Sequence, residues 1–172
     1  MEKNLRKLFR KLFKKRFSPI IILLLIILYV VFTYFIKQTD TAIVARVIDG
    51  DTIETTTGEC IRLIGIDTPE SVHPDDYKNT EYGKSASEYT SEHLAGKLVK
   101  LEYDVERTDK YGRTLAYVWL GDEMFNERLL REGMAKVMTV QPNTKYAIKF
   151  EMIESEARKN KAGFWKTYFA KP

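Results

Sequence analysis

The chain reads as an α+β protein, mainly β: a small five-stranded barrel with three helices, preceded by one transmembrane helix. Three observations point there. One uncharged run is long enough to span a bilayer; short apolar–polar alternations are broken by Asp-Gly and Gly-Glu turns; and helix-period stripes end at glycine.

Pro19 to Ile36 is eighteen residues without a charge. At about 1.5 Å per residue that makes roughly 27 Å of helix, close to the hydrocarbon thickness of a bilayer. Residues 1–17 carry eight basic side chains and one acid, while only Lys37 directly follows the run. The positive-inside rule then keeps the tail cytoplasmic and sends everything after residue 37 outside. The run is longer than the apolar core of a signal peptide, and Ala42 and Ala45 are poorly spaced for cleavage, so an uncleaved anchor is favoured; cleavage would yield a secreted form. The expected organisation is a basic cytoplasmic tail (1–17), a transmembrane signal anchor (18–36), a polar link (37–41) and an extracytoplasmic domain (42–172).

Ile43 to Ile48 alternates as a strand and ends at Asp49-Gly50-Asp51, so Thr52 to Thr57 should return as a hairpin partner. Cys60 to Ile66 makes a third strand, stopped by Pro69, which has no N–H for a ladder. Ser71 to Thr80 is polar and loop-like. Glu81 to Leu94 has Tyr82, Ala86, Tyr89 and His93 near helical spacing, with Gly96 as stop. Lys97 to Val105 and Thr114 to Leu120 are further strands around a charged loop. Phe125 to Arg131 is a short helix closed by Gly133. Asn143 or Thr144 should cap a last helix with Ala147, Phe150, Ile153 and Ala157 as its buried stripe, and Phe164 and Trp165 should pack back on the core.

The net charge of +4 hides two opposite parts. The first 17 residues carry +7, and the remaining 155 hold 20 basic and 23 acidic side chains. Global basicity therefore gives no argument for nucleic-acid binding. One cysteine, Cys60, excludes an internal disulfide framework and a cysteine-rich zinc site, and is read as a small buried group.

Chemistry concentrates at turns and strand ends. Asp51 follows the first turn, Asp67 ends the third strand, and Glu70 lies just past Pro69. Oxygen ligands on turns suit a hard cation, although each acid alone is also an ordinary turn residue. Arg62, on the strand leading to Asp67, and Arg113, after Tyr111-Gly112, add two guanidiniums. Together with a carboxylate-held cation they form a clamp for a phosphate passing through a pentavalent state.

The segments VIDGDT (47–52), RLIGIDTPE (62–70), His73-Pro74, RTDKYGRTLAYV (107–118) and NERLLREGMAKV (126–137) occur in the order found in the staphylococcal nuclease family, which residues 42 to about 165 resemble. The resemblance implies an OB-fold barrel with three helices and one Ca²⁺. It implies Asp51 and Asp67 as carboxylate ligands and Thr68 as a carbonyl ligand. Glu70 would be general base or orient the water, Arg62 and Arg113 would stabilise the transition state, and Lys110 and Tyr111 would contact nucleotide phosphates. It implies 5′-O–P cleavage of DNA and RNA leaving 3′-phosphates, by a domain expected to be monomeric. A weak Ca²⁺ site fits an extracellular location. A non-catalytic nucleic-acid or protein-binding module on the same fold is the contrary reading, and the joint presence of all five charged residues argues against it.

Aligned without a gap, the family's pocket tyrosines fall on Thr139 and Gln141, with Tyr146 the nearest aromatic that could stand in. His73 is read as a solvated loop residue and His93 as a helix-face residue.

Overall fold

The computed structural model describes residues 23–30, 39–70 and 81–168. The chain divides into two units, residues 1–37 and 38–172. In the first, residues 23–30 are helical with exposed side chains. Among the described residues no helix is long and apolar enough to cross a membrane. The basic tail, the rest of the apolar run, and His73-Pro74 lie outside the described residues.

The second unit is a closed five-stranded barrel. β1 (Thr39–Asp49) and β2 (Thr52–Thr55) form the hairpin expected around Asp49-Gly50-Asp51. β3 (Cys60–Leu63) pairs antiparallel with β2, through Thr52 opposite Arg62. β4 (Ile66–Asp67) follows a break, then β5 (Leu98–Glu102), β6 (Thr114–Leu120), β7 (Glu123–Met124) and β8 (Lys136–Val137). β1 serves two neighbours: Thr39 to Ile43 pairs with β5, and Val44 to Asp49 pairs with β2. Register shifts between Val44 and Arg46 and between Val47 and Asp49 bend the strand from one partner to the other, as bulges do. Closure comes from the parallel pairing of β3 with β6, Arg62 opposite Leu115. β7 extends β6, and β4 pairs with β8 as a separate ribbon.

Three helices of seven residues or more pack on the barrel: α1 (Glu81–Leu94), α2 (Phe125–Arg131) and α3 (Ala147–Lys159). A last turn, α4 (Trp165–Tyr168), follows. The shared core holds Val44, Ile53, Ile61, Leu63, Leu101 and Val118 from strands, Phe125 and Leu129 from α2, and Phe150 from α3. Burial of such side chains, about 1.5–3 kcal/mol each, is the main force holding the unit together.

Several expectations shift. Thr39 to Thr41, read as link, belongs to β1 and pairs with Lys100 to Glu102. The third strand does not run to Ile66; it breaks at Ile64-Gly65, where Gly65 has φ +78, and resumes as β4. The strands read as Thr52 to Thr57 and Lys97 to Val105 are shorter, Thr52–Thr55 and Leu98–Glu102, whereas Thr114–Leu120 is as read. The buried stripe of α1 is Gly83, Ala86, Thr90 and Leu94; Tyr82 is exposed, and Tyr89 and His93 are half-buried. His93 stacks on Tyr89 at 4.3 Å and accepts a hydrogen bond at Nε2 from Arg128. α3 has no side-chain cap: Tyr146 takes that position. Asn143 is used elsewhere, its amide accepting from the Glu106 N–H and donating to the Glu106 carbonyl, both at 2.8 Å. Cys60 is half-buried rather than buried.

Candidate active site

The site is built around Arg62, on the central strand of the closure. The break after Leu63 exposes two backbone carbonyls, and Arg62 Nη1 donates to both, Leu63 O at 3.1 Å and Ile66 O at 3.0 Å. The same nitrogen lies 3.1 Å from Asp51 Oδ2, and Nη2 lies 3.2 Å from Asp67 Oδ1. One guanidinium therefore holds the strand break and both aspartates at once, while only 9 % exposed. Such a fork is the geometry for which arginine is suited and lysine is not.

Asp51 is fixed from every side. Its Oδ2 accepts from the Thr68 N–H at 2.8 Å and the Thr68 hydroxyl at 3.1 Å, and its Oδ1 accepts from the Thr52 hydroxyl at 3.0 Å. Burial pushes its carboxyl above the ordinary range; the Arg62 charge and the Thr68 N–H pull the other way, and Asp49 adds to the rise. A buried carboxylate under that strain is stabilised by further positive charge. Asp67 is more open, and its Oδ2 meets Lys136 Nζ at 3.2 Å across the β4–β8 ribbon.

Glu70 is exposed and lines a small cavity of about 320 Å³ with Asp67, Thr68 and Lys136. Its position depends on α1. A Cβ on Gly83 would fall 2.0 Å from the Glu70 carbonyl oxygen, so only glycine lets the helix approach this backbone.

Arg62 also lines an open groove of about 720 Å³, together with Arg113, Lys110 and Tyr111 over an apolar floor that includes Leu63 and Leu115. Arg113 is positioned by Asp109. The Asp109 carboxylate accepts from the Arg113 and Tyr111 N–H groups, both at 2.9 Å, and from Arg113 Nε at 2.7 Å. Burial acts to raise the Asp109 pKa, but these hydrogen bonds and the Arg113 charge outweigh it and hold the carboxyl below the usual range. Tyr111 is 72 % exposed, with Lys110 Nζ at 4.9 Å and the Arg113 guanidinium at 5.6 Å from its ring centroid.

All eight residues singled out in the sequence fall in this region. Asp51, Arg62, Asp67 and Thr68 form one bonded cluster; Glu70 shares a cavity with Asp67 and Thr68; Arg113, Lys110 and Tyr111 share the groove with Arg62. Sequence reasoning missed Thr52, Asp109, Lys136 and Gly83. Lys136 and Asp109 stand inside the quoted segments, whereas Gly83 carries no local signal. Gln141 lines the groove, with Met138 and Val140, but Thr139 is not among its lining residues. Tyr146 does not stand in for a pocket aromatic: its hydroxyl donates to Glu102 at 2.8 Å and its ring packs edge-on against Tyr117 at 4.7 Å.

The donor set fits a hard divalent cation. Asp51 and Asp67 share one guanidinium, and Thr68 adds a carbonyl between Asp67 and Glu70; all are oxygen donors. No group of three or more acid, histidine or cysteine side chains suited to a metal occurs among the described residues.

The sequence pattern described as "Staphylococcal nuclease homologue" matches residues 60–167. The chain is 52 % identical to the thermonuclease of Staphylococcus intermedius over 132 residues, 73 % of this chain and 76 % of that one. It is 49 % identical to the thermonuclease of Staphylococcus hyicus over 128 residues, 71 % and 73 % of the two chains. It is 40 % identical to endonuclease YncB of Bacillus subtilis over 134 residues, 75 % and 63 % of the two. With the barrel, the bonded cluster and these similarities in hand, the chain belongs to the staphylococcal nuclease family.

Proposed function

We propose that the chain is a Ca²⁺-dependent nuclease that hydrolyses DNA and RNA by attack of water on phosphorus, leaving 3′-phosphate ends, and that it is tethered to the outer face of the cell membrane. Nuclease activity is the reading that the thermonuclease and endonuclease relatives support. The single observation that carries the mechanism is the Arg62 fork, which joins the two aspartates to a groove with a second arginine.

A phosphodiester is an anion and repels the oxygen that attacks it, so positive charge must be in place first. Asp51, Asp67 and the Thr68 carbonyl would hold Ca²⁺, which would supply Lewis-acid charge to a phosphate oxygen. Arg62 keeps those ligands in register and is largely spent on protein oxygens. Arg113 is different: Asp109 holds it at Nε, and its terminal nitrogens have no partner among the described residues. They are the donors available to a phosphate whose charge rises in the transition state. Glu70, exposed beside Asp67, takes the proton of the attacking water or orients it. Lys110 and Tyr111 bind the neighbouring phosphates, and the exposed Tyr111 ring also offers a stacking face. Because water is the nucleophile, no ribose 2′-OH is required and both DNA and RNA are substrates.

Membrane tethering rests on the uncharged run 19–36 behind a tail of +7, and the outward topology suits a weak Ca²⁺ site. The full chain should degrade DNA and RNA with Ca²⁺ and stop with a chelator. Glu70→Gln and Arg113→Ala should each remove most turnover with the circular dichroism spectrum unchanged; full activity in both variants would refute the assignment. Retention in the membrane pellet after alkaline carbonate washing tests the tether.

A further inference from the structure

A second cavity, of about 450 Å³, opens beside the start of β1 and shares no lining residue with the groove or with the Glu70 cavity. Two carboxylates line it, Asp40 from β1 and Glu59 from the β2–β3 turn, and neither has an ion-pair partner among the described residues. Glu59 is nevertheless fixed: its N–H donates to the Thr55 hydroxyl at 3.1 Å, and its side chain accepts from the Thr114 hydroxyl. Tyr103, only 7 % exposed, lines the same cavity, and its hydroxyl makes no hydrogen bond within the described residues. Arg107 covers one face of its ring at 4.2 Å. Burial, and then the charges of Asp40 and Glu59, push the Tyr103 phenol above its ordinary range against the opposing effect of Arg107, so both acids act on one point. At the rim stand Ile43 and Leu98, directly opposite each other in the β1–β5 register and 46 % and 63 % exposed.

We propose that this cavity binds a primary ammonium group carried on a short apolar stem. Three N–H donors match two carboxylates and a phenol oxygen that has no hydrogen-bond partner among the described residues, and charge-assisted bonds of this kind are the strong ones. The apolar pair at the rim covers the stem; a bare inorganic cation would leave it unused. The group can arrive on a free alkylamine or on an aminophospholipid headgroup.

The test uses the full chain with methyl-labelled isoleucine and leucine, observed by NMR in detergent micelles and in phosphatidylglycerol nanodiscs with and without phosphatidylethanolamine. n-Butylammonium should shift the Ile43 and Leu98 methyl signals saturably, and n-butanol should not. Asp40→Asn with Glu59→Gln should weaken binding about tenfold, and the Gln side chain keeps the Thr114 hydrogen bond. Asp40→Asn alone, at an exposed position, carries the same sign if the double variant is unstable. DNA hydrolysis should be unchanged in both. Saturation by the free amine identifies a soluble source, and a shift seen only in nanodiscs containing phosphatidylethanolamine identifies the lipid. No saturable shift with either, or equal shifts in the charge-neutral variant, would overturn the proposal.

Discussion

Asp109 Oδ2 accepts from Arg113 Nε at 2.7 Å, while its Oδ1 takes the Arg113 N–H at 2.9 Å. One carboxylate thus fixes both the loop and the side chain it presents, and leaves the terminal guanidinium nitrogens toward the groove. Asp109→Asn keeps an acceptor but removes the charge. It is expected to lower kcat by about tenfold through misplacement of Arg113, with KM little changed. A stopped-flow pH profile adds a structural readout. The folded-state pKa of Asp109 lies below its unfolded value, so its contribution to stability is present above the unfolded value. That contribution is lost as pH falls through the folded one. The Asn variant should lack this acid limb of the stability profile.

Arg62 and Arg113 should respond oppositely to truncation. Arg62→Ala leaves the Asp51 carboxylate buried without its ion-pair partner and frees two backbone carbonyls, a loss of about 3–5 kcal/mol. Arg113 is far more open, its side chain 35 % exposed, and Arg113→Ala should cost less than about 1 kcal/mol. Its activity should nevertheless fall about 10²–10³-fold, as when one transition-state donor is removed. Urea titration and turnover measured on the same two variants check both halves.

Gly83→Ala should damage a residue it does not touch by side chain. The added methyl meets the Glu70 carbonyl oxygen at 2.0 Å, so either α1 or the Glu70 backbone must move. The expected cost is about 1–3 kcal/mol, with a fall in kcat that exceeds the rise in KM. Thermal melts and steady-state kinetics on the variant test this.

Aromatic substitutions in the groove wall should raise affinity, at one position more than the other. Gln141 lines the groove, so Gln141→Tyr offers a base a stacking surface of about 1–3 kcal/mol, and KM should drop by about 5-fold to 160-fold. Thr139 does not line it, and Thr139→Tyr should change KM little. Equal effects at the two positions would contradict the groove geometry.

Much of this arrangement was legible in the sequence because short-range patterns determine it. The Asp-Gly turn, the alternation of Ile43 to Ile48 and the glycine stops placed the hairpin and the helices, and the ordered motifs pointed to eight residues that the structure gathers in one bonded cluster, one cavity and one groove. Three things were not legible, each for a physical reason. The break at Gly65 depends on Arg62 capping carbonyls that a continuous strand would have paired, and alternation alone cannot reveal that. Asn143 looked like a helix cap because Asn favours that position, but its amide found a better bidentate partner in the Glu106 backbone. The role of Gly83 arises from contact between segments that local periodicity does not encode. Tyr146 was the reverse case, an aromatic near the right place in sequence whose ring is drawn into the packing of Tyr117 and Phe150.

The most direct test is a Ca²⁺ titration of DNA cleavage by the full chain, run in parallel with Asp67→Asn. Cleavage should rise from nothing in chelator to a plateau, and the variant should need more Ca²⁺ to approach a lower plateau. Cleavage that persists undiminished in chelator, or a variant with the wild-type Ca²⁺ response, would contradict a cation held by Asp51 and Asp67 as the source of the activity.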